Sequence, residues 1–296
     1  MIELQGLLIQ TIQLLLAMTI SIITVTLNSE RYLQDCITSV KNQDYRNIEH
    51  IIVDGKSTDN TVAIIRRNRN HIYDWISETD RGMYDAINKG INLATGDIIG
   101  ILNSDDILAS DDVIGKIAYC FKNSGIDSLY GDLVFVNPDD VSVITRTWKG
   151  ISYSRSRFNF GWMPAHPTFY MRRSVTQKYG LYENHFYSAA DYEFMARYLF
   201  KHKVTSLYLP LMIVKMRSGG ASNGNFKRRL RANRRDYLAM KRNDISFPFL
   251  VSILKPIRKL HQYKKGIRHH IASRLPKSRK SSVTFIPVNR QSIPIK

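Results

Sequence analysis

Cysteine is nearly absent from this sequence. Cys36 and Cys120 are its only two, and neither has a partner Cys or His at metal-ligand spacing. A disulfide scaffold and a structural zinc site are therefore excluded, and a reducing cytoplasm fits. The phosphate-binding patterns GxGxxG and GxxxxGKS/T are also missing, which speaks against a dinucleotide-binding turn and a P-loop. The chain does have 296 residues with 44% apolar content, enough for one large core with an appendage.

Acidic residues are scarce in the last quarter of the chain. Residues 226–296 contain 20 Lys and Arg but only two acids, whereas residues 1–225 contain 23 residues of each sign. The formal net charge of +18 therefore belongs to the C-terminal segment, and the rest is electrically balanced. We predict three parts: an extension at 1–17, a globular domain at 18–225, and a basic helical tail at 226–296 that contacts membrane or is partly disordered.

Charge is also absent between Glu3 and Glu30. Residues 20–27 are rich in β-branched side chains and predict a strand, so the apolar stretch left before them is shorter than the roughly 20 residues of a membrane span. No basic segment precedes it, so a secretory signal is not predicted either. We expect residues 1–17 to be a dispensable extension upstream of a true start at Met18. The alternative is an interfacial helix.

Strand-like and helical patterns alternate from residue 20 onward, which predicts an α/β fold with a mostly parallel central sheet. The first half predicts strands at 20–27, 49–53, 72–77 and 97–102, with helices near 32–40 after a Ser29 cap, at 61–69 and at 83–93. The second half predicts hairpin strands at 128–136 and 141–148, an irregular aromatic stretch at 153–169, a helix at 188–201 and a strand at 204–214.

Polar residues collect where the predicted parallel strands end, and such sheets bind ligands at that edge. Asp54, Asp80 and the run 103–106, Asn-Ser-Asp-Asp, each follow a strand. A single Asp in such a place is usually a turn or cap residue, but three at successive strand ends indicate a binding site. An anionic ligand there would be held by metal, by helix N-termini and by bases such as Arg81 or Lys89.

The adjacent Asp105 and Asp106 are the sharpest feature of that edge. Two neighbouring carboxylates repel each other unless a cation or donors neutralise them. A hard cation such as Mn²⁺ or Mg²⁺ takes one or two carboxylates and completes its shell with phosphate oxygens and water. The alternative role for these two acids is capping of the next helix, but Ser110, Asp111 and Asp112 are available for that role. We therefore predict a metal-diphosphate site on Asp105 and Asp106.

Six segments in order resemble the inverting family 2 glycosyltransferases of the GT-A fold, which act on nucleotide sugars. They lie between about residues 19 and 222: TISIITVTLN, IIVDGKSTDNT, SETDRGMYDAINKGINLATGDIIGILNSDD, MPAHPTFYMRR, SAADYEFMARYL and GGAS. Within the family, the chain looks most like the bacterial enzymes that build O-antigen, capsule or exopolysaccharide repeat units.

The resemblance implies a role for each matching donor-site residue. Thr26 and Asn28 would line the nucleotide pocket, Asp54 would hydrogen-bond the base, and Asp80 and Lys89 would lie along the nucleotide and sugar. The family's Asp-any-Asp metal motif falls on 103–106. Its first position is Asn103 here, so whether Asp105 binds the metal alone or with Asp106 stays open.

The resemblance also implies a catalytic base. Many relatives carry a Glu-Asp pair where this chain has Ala190 and Asp191, so Asp191 is the predicted base. A carboxylate at a helix start is firmly placed, and inverting transfer needs a base within about 3 Å of the acceptor hydroxyl; a plain N-cap is the alternative. His166 and Trp162 are candidates for a place near the acceptor or metal, with structural roles as the alternative.

Two further aromatic side chains and one loop complete the predicted site. Tyr153 and Phe160 are candidates for stacking on sugar rings, although core packing is equally compatible with the pattern. The segment Ser218–Ser222, next to Arg217, is predicted to close over the diphosphate.

These residues predict a metal-dependent inverting glycosyltransferase that uses a nucleotide-diphospho-sugar, with UDP-sugar favoured. Its expected acceptor is a saccharide or a polyprenyl-diphosphate-linked saccharide. A sugar nucleotidyltransferase is one alternative, but it would carry a glycine-rich basic loop where this chain has TLNSERY. A nucleic-acid-binding protein is the other, and residues 226–296 show no RNA or DNA module. The basic tail instead fits contact with anionic lipid at the inner face of the plasma membrane.

Overall fold

The computed structural model describes residues 18–219, 226–246 and 248. The predicted extension 1–17 and the tail beyond residue 248 lie outside the described residues. Among those described, no helix combines the length and the apolar character needed to cross a membrane.

The N-terminal half of the sheet is parallel, as predicted. Its four strands stand in the order β3-β2-β1-β4, and Thr26 at the end of β1 lies beside Asp54 at the end of β2. The strands are β1 Ile20–Thr26, β2 Ile48–Asp54, β3 Asp74–Ser77 and β4 Ile98–Ile101, and the helices are α1 Leu33–Lys41, α2 Thr61–Arg67 and α3 Met83–Leu93. Their carboxyl ends therefore share one edge.

The C-terminal half continues the same nine-stranded sheet in the order β4-β8-β6-β9-β5, with β7 paired to β6. Here β8 runs antiparallel to both neighbours, and β6 and β7 form the predicted hairpin. The elements are β5 Ile107–Leu108, α4 Val113–Ser124, β6 Ser128–Val136, β7 Ile144–Trp148, β8 Tyr170–Arg172, α5 Arg173–Tyr179, α6 Ala190–Met195, β9 Ser206–Arg217 and α7 Phe226–Arg242.

Short helices of other types connect these elements. Four are 3₁₀ helices, and α6 runs on directly as a π-helix, so the helix predicted at 188–201 is built from three consecutive pieces. The 3₁₀ helices are Arg69–His71, Arg155–Phe160, His166–Thr168 and Asn184–Ala189, and the π-helix is Ala196–Lys201.

Helices cover the sheet on both faces, which is why β1 reads as a nearly continuous apolar run. Ile20 and Ile22 pack in the cluster that includes α1 and α4, whereas Ile23 and Val25 pack in the cluster that includes α3. A Cβ added to Gly90 in α3 would lie 2.4 Å from Ile23 Cγ2, so that helix can approach the sheet only because this residue lacks a side chain.

Two predicted helix caps are wrong. The Ser29 side chain does not cap α1; its carbonyl oxygen accepts from Tyr32 and Leu33 in a preceding turn. Asp112 occupies the N-cap position of α4 but makes no capping hydrogen bond to the backbone of the helix; its carboxylate pairs with Lys116 instead. The amide N–H of Ile114 instead donates to Gln43 Oε1 at 3.0 Å. A distant glutamine replaces the local cap, which the sequence pattern does not reveal.

The basic helix predicted from residue 226 is present as α7, and its last turns pack against the domain. Ala239 and Met240 are fully buried, and the Asn243 side chain lies 3.3 Å from Glu193 Oε1. The segment around residues 239–245 is therefore part of the packed structure.

Candidate active site

The ends of β1 and β2 form a polar floor centred on Asp54. Its carboxylate is fully buried and is held by neutral donors: the Ser77 hydroxyl at 2.6 Å, the Ser57 amide at 3.1 Å and the Ser57 hydroxyl. The buried Thr26 hydroxyl beside it has no hydrogen-bond partner among the described residues. Because the donors to Asp54 are uncharged, the carboxylate keeps its negative charge available to a donor group such as a base N–H.

Asn28 joins the loops that follow β1 and β2. Its backbone is left-handed, with φ of 50°, a conformation that Asn tolerates better than most residues. This turn lets Asn28 Oδ1 accept from the Thr58 amide at 2.9 Å, while its own amide donates to Ser57 Oγ at 2.8 Å. The predicted nucleotide-pocket residues Thr26, Asn28 and Asp54 are thus brought together by one small network.

Asp80 and Lys89 form an ion pair beside that floor. Lys89 Nζ lies 2.6 Å from Asp80 Oδ1 and 2.8 Å from Glu78 Oε1. Burial lowers the pKa of Lys89, but the hydrogen bonds to Asp80 and Glu78 outweigh it and leave that pKa raised. Lys89 is therefore a firmly charged residue whose ammonium is already shared by carboxylates.

The loop after β4 places its two acids differently. Asp106 is fully buried, whereas Asp105 is partly exposed. Asn103, at the first position of the metal motif, turns its amide to Asp106 Oδ2 at 3.1 Å. Burial raises the pKa of Asp105, and burial together with the charge of Asp105 raises the pKa of Asp106 to about 8. Asp105 is thus the carboxylate that faces outward.

The donor set at this loop fits a hard divalent cation. Asp106 Oδ1 is a buried carboxylate oxygen with no hydrogen-bond partner among the described residues, and it adjoins a second carboxylate whose ionisation it opposes. The described part of the chain contains no group of three or more His, Cys, Asp or Glu that could hold a metal. An ion bound here would therefore draw most of its ligands from a diphosphate and water.

Arg217 fixes this loop from the end of β9. Its buried guanidinium donates to the Asp105 carbonyl oxygen at 2.7 Å and to Asp35 Oδ2 at 2.6 Å. The segment predicted to close over the diphosphate follows directly. Its residues Ser218 and Gly219 are described, whereas residues 220–222 lie outside the described residues. The loop that carries Asp105 is consequently tied to the strand that leads into this segment.

Asp191 lies in the first turn of α6, as expected, and two side chains from distant parts of the chain meet it. The Tyr84 hydroxyl of α3 donates to Asp191 Oδ1, and His166 Nδ1 lies 3.5 Å from Asp191 Oδ2. The Asp191 side chain is 19% exposed, so a ligand can reach it. The structure thus brings the predicted base and the predicted acceptor-side histidine together.

The helix behind Asp191 is held by a buried ion pair. Arg197 donates to the fully buried Glu193 at 3.0 Å and to the carbonyl oxygens of Tyr179 at 2.5 Å and Leu181 at 2.6 Å. The network anchors the helix through Glu193, two residues after Asp191 in the same turn, and none of these bonds goes to Asp191 itself.

The predicted aromatic residues separate into two kinds. Trp162 packs edge-on to Phe158 with ring centroids 5.7 Å apart and contacts Tyr130 and Tyr153 as well. The Tyr153 hydroxyl donates to the Leu199 carbonyl oxygen at 2.6 Å. Phe160 is 61% exposed. Stacking on sugar rings stays a prediction for Tyr153 and Phe160, and a place near the acceptor or metal stays one for Trp162.

Sequence reasoning missed Tyr84, Ser57 and Ser77 as site residues. Ser57 had a usable signal, because a serine three residues after Asp54 can fold back on it in a local turn. Tyr84 had none, since its partner lies 107 residues away.

The sequence matches the model of the family described as Glycosyl transferase family 2 over residues 21–180. An uncharacterized glycosyltransferase of Mycobacterium tuberculosis is 34% identical over 184 residues, 61% of this chain and 69% of that one. A PGL/p-HBAD biosynthesis glycosyltransferase of Mycobacterium bovis is 28% identical over 208 residues, 69% of this chain and 78% of that one.

Solved structures agree on the fold. S. aureus TarS 1–349 in complex with UDP aligns with a TM-score of 0.57 at 19% identity, covering 86% of this chain and 72% of that one. A longer TarS structure is covered only to 44% of its length. The mannosyltransferase PcManGT from Pyrobaculum calidifontis, in complex with GDP-Man and Mn2+, aligns with a TM-score of 0.57 at 16% identity, covering 86% and 76%. With a family match over more than half of its length, the chain belongs to glycosyl transferase family 2 and has the GT-A fold.

Proposed function

We propose that this glycosyltransferase is metal-dependent and inverting, and that it moves a sugar from a UDP-sugar to a saccharide or lipid-linked saccharide in cell-surface polysaccharide biosynthesis. The observation that carries the proposal is the separation of two acidic centres. Asp105 and Asp106 form a paired carboxylate site after β4, whereas Asp191 is a single, reachable carboxylate beside His166. The paired carboxylates suit a cation that stabilises the charge of a diphosphate, and the single carboxylate suits a proton acceptor.

The donor assignment rests on the polar floor around Asp54 and on the solved neighbours. Neighbouring structures are complexes with UDP and with UDP-GlcNAc. In this chain Asp54 would accept from the base, Thr26 and Asn28 would border it, and Asp80 with Lys89 would lie along the sugar. Asn103 would act on the donor only through Asp106, because its amide already points there.

In the proposed reaction Asp191 accepts the proton of the acceptor hydroxyl while that oxygen attacks the anomeric carbon opposite the departing diphosphate. A single displacement inverts the configuration, so an α-linked donor yields a β-glycoside. A bound Mn²⁺ or Mg²⁺, held by Asp105 with Asp106 behind it, would supply Lewis-acid stabilisation of the diphosphate charge. Arg217 keeps the Asp105 backbone in place throughout.

We also infer that the protein works at the inner face of the plasma membrane, where a polyprenyl-diphosphate-linked acceptor would reside. Residues 226–296 carry 20 basic and two acidic residues, and the exposed face of α7 includes Arg234, Leu238 and Lys241. Bases near an anionic surface contribute about 1 kcal/mol each. Vesicles of phosphatidylglycerol should bind the full chain, with release by high salt, and equal binding to phosphatidylcholine would contradict the inference.

The donor proposal is tested by measuring UDP-sugar binding and UDP release with Mn²⁺ and with EDTA. UDP-glucose, UDP-galactose and UDP-N-acetylglucosamine are the probes, and GDP-mannose is the competing donor class. We expect Mn²⁺-dependent binding of the UDP-sugar, and we expect Asp105→Ala to abolish it. The control is Asp111→Ala, which changes an exposed acid that also lies between β4 and α4 and should leave this binding intact. Equal affinity with and without Mn²⁺ would refute the metal assignment.

A further inference from the structure

Tyr84 links the two acidic sides of the site. It lies in the first turn of α3, the helix that also carries Lys89, and Lys89 pairs with Asp80 at 2.6 Å. Its hydroxyl donates to Asp191 Oδ1 on α6, 107 residues later in the chain. The helix beside the predicted donor pocket therefore touches the predicted base directly.

The position of Tyr84 is fixed by its surroundings. Its ring stacks on Tyr182 with centroids 5.4 Å apart, and Tyr182 stacks in turn on Phe194 of α6 at 3.9 Å. Asn88, one turn after Tyr84, clamps the backbone of Tyr182 through bonds of 2.8 Å to its carbonyl oxygen and 2.9 Å from its amide. The Tyr84 hydroxyl is thus held at Asp191 by packing that does not depend on Asp191.

This contact distinguishes the two oxygens of the base. Oδ1 receives the Tyr84 hydroxyl, while Oδ2 faces His166 Nδ1 at 3.5 Å. An acceptor hydroxyl must approach one of these oxygens to within about 3 Å, so the orientation of the carboxylate decides whether the base can act.

We propose that Tyr84 is a positioning residue for the base: its hydroxyl holds the Asp191 carboxylate through Oδ1 in the orientation that receives the acceptor proton. The inference rests on the proposed function of Asp191 and adds what orients that carboxylate. A hydroxyl donor also favours the ionised form of a carboxylate, so Tyr84 keeps Asp191 ready to accept a proton as well as correctly turned.

The test compares Tyr84→Phe with the wild-type full chain in Mn²⁺-dependent UDP release from the UDP-sugar that the wild type turns over fastest. We expect kcat to fall about 10-fold or more, the loss that follows when a charge-assisted hydrogen bond is removed. The KM for the UDP-sugar should stay within about twofold, because an effect confined to the chemical step leaves binding unchanged. The acidic limb of the kcat-pH profile should move to higher pH.

The matched control is Tyr45→Phe, which removes a hydroxyl that donates to the Met18 carbonyl oxygen at the opposite edge of the sheet. It should leave kcat, KM and the pH profile unchanged. A purely structural role for Tyr84 would lower thermal stability without moving the acidic limb, and that result would overturn the proposal, as would an unchanged kcat. Absence of UDP release by the wild type would instead count against the proposed function, so the two failures are distinguishable.

Discussion

Asp54 in the N-terminal half of the sheet and Glu193 in the C-terminal half are both fully buried carboxylates, but different kinds of donor hold them. In the N-terminal half, Asp54 is held by the hydroxyls of Ser57 and Ser77, and Glu49 is held by Ser21, Thr95 and the Gly96 amide. Burial raises the pKa of Glu49, but these donors outweigh burial and leave that pKa lowered. In the C-terminal half, Glu193 is held by the guanidinium of Arg197.

The kind of donor distinguishes a carboxylate that can bind a ligand from one that stabilises the fold. A carboxylate held by neutral hydrogen-bond donors has no cation to offset its charge, so it can still bind a hydrogen-bond donor of a ligand. The charge of a carboxylate in an ion pair is already offset by its partner, and the pair stabilises the fold. Asp54 belongs to the predicted donor pocket, and Glu193 lies two residues after Asp191 in the first turn of α6. Asp54 thus serves a predicted pocket, whereas Glu193 fixes a helix.

The largest expected effect is on Arg197. Arg197→Met leaves the buried Glu193 without its nearest cation, with only Arg242 at 3.9 Å, and should lower the free energy of unfolding by about 3–5 kcal/mol. In the N-terminal half, Ser77→Ala removes one of three donors to Asp54 and should cost on the order of 1 kcal/mol. Urea denaturation of both variants measures the contrast.

Lys116→Met is the control for Arg197→Met. Lys116 and Asp112 form an ion pair with the same i,i+4 spacing, but both side chains are nearly half exposed, so the change should be within about 0.5 kcal/mol. Equal losses for Arg197→Met and Ser77→Ala would erase the contrast between Glu193 and Asp54.

The next effect concerns the end of α7. Met240 is fully buried and Leu238 is 45% exposed on the same helix. Met240→Ala should lower the free energy of unfolding by about 2–5 kcal/mol, whereas Leu238→Ala should change it by less than about 0.5 kcal/mol. If the two variants melt at the same temperature, the end of α7 adds nothing to the stability of the domain.

The smallest expected effect is a pH dependence in the N-terminal half. His50 on β2 is buried against Thr24, and burial lowers the pKa of its ring to about 4. The unfolded chain binds a proton near the usual value of about 6.5, so stability is complete above that pH and is lost as the pH falls toward 4. At about 1.4 kcal/mol per pKa unit, the loss between pH 7 and pH 5 is on the order of 2 kcal/mol.

His50→Gln keeps a polar partner for Thr24 and removes the titration. Its stability should therefore fall less than that of the wild type between pH 7 and pH 5, as urea midpoints at the two pH values would show. Parallel loss in both proteins would mean that other groups set the acid response.

The sequence predicted local elements better than contacts between distant residues. The parallel strands, their helices and the polar strand ends followed from apolar periodicity, because each βα unit is local. The caps of α1 and α4 did not, since Gln43 reaches the α4 amide of Ile114 across 71 residues. The turn Arg69–His71 likewise shortened the third strand, which begins at Asp74 rather than residue 72.

The candidate site shows the same limit. The acids Asp54, Asp80, Asp105 and Asp191 were predicted because each sits at an element end that a pattern marks. Their partners were not, because the donors to Asp191 and to the Asp105 loop come from Tyr84 and Arg217, which only the folded sheet brings near.

The most direct test of a donor site separate from the catalytic base is Asp191→Asn, with UDP-sugar affinity and UDP release measured side by side in Mn²⁺. The affinity should stay within about twofold, while UDP release should fall by on the order of 100-fold or more. Asp105→Ala should instead abolish Mn²⁺-dependent binding of the UDP-sugar, so that turnover is lost because the donor no longer binds. Near-normal turnover by Asp191→Asn, or loss of donor binding equal to the loss of turnover, would contradict the separation of donor site and base.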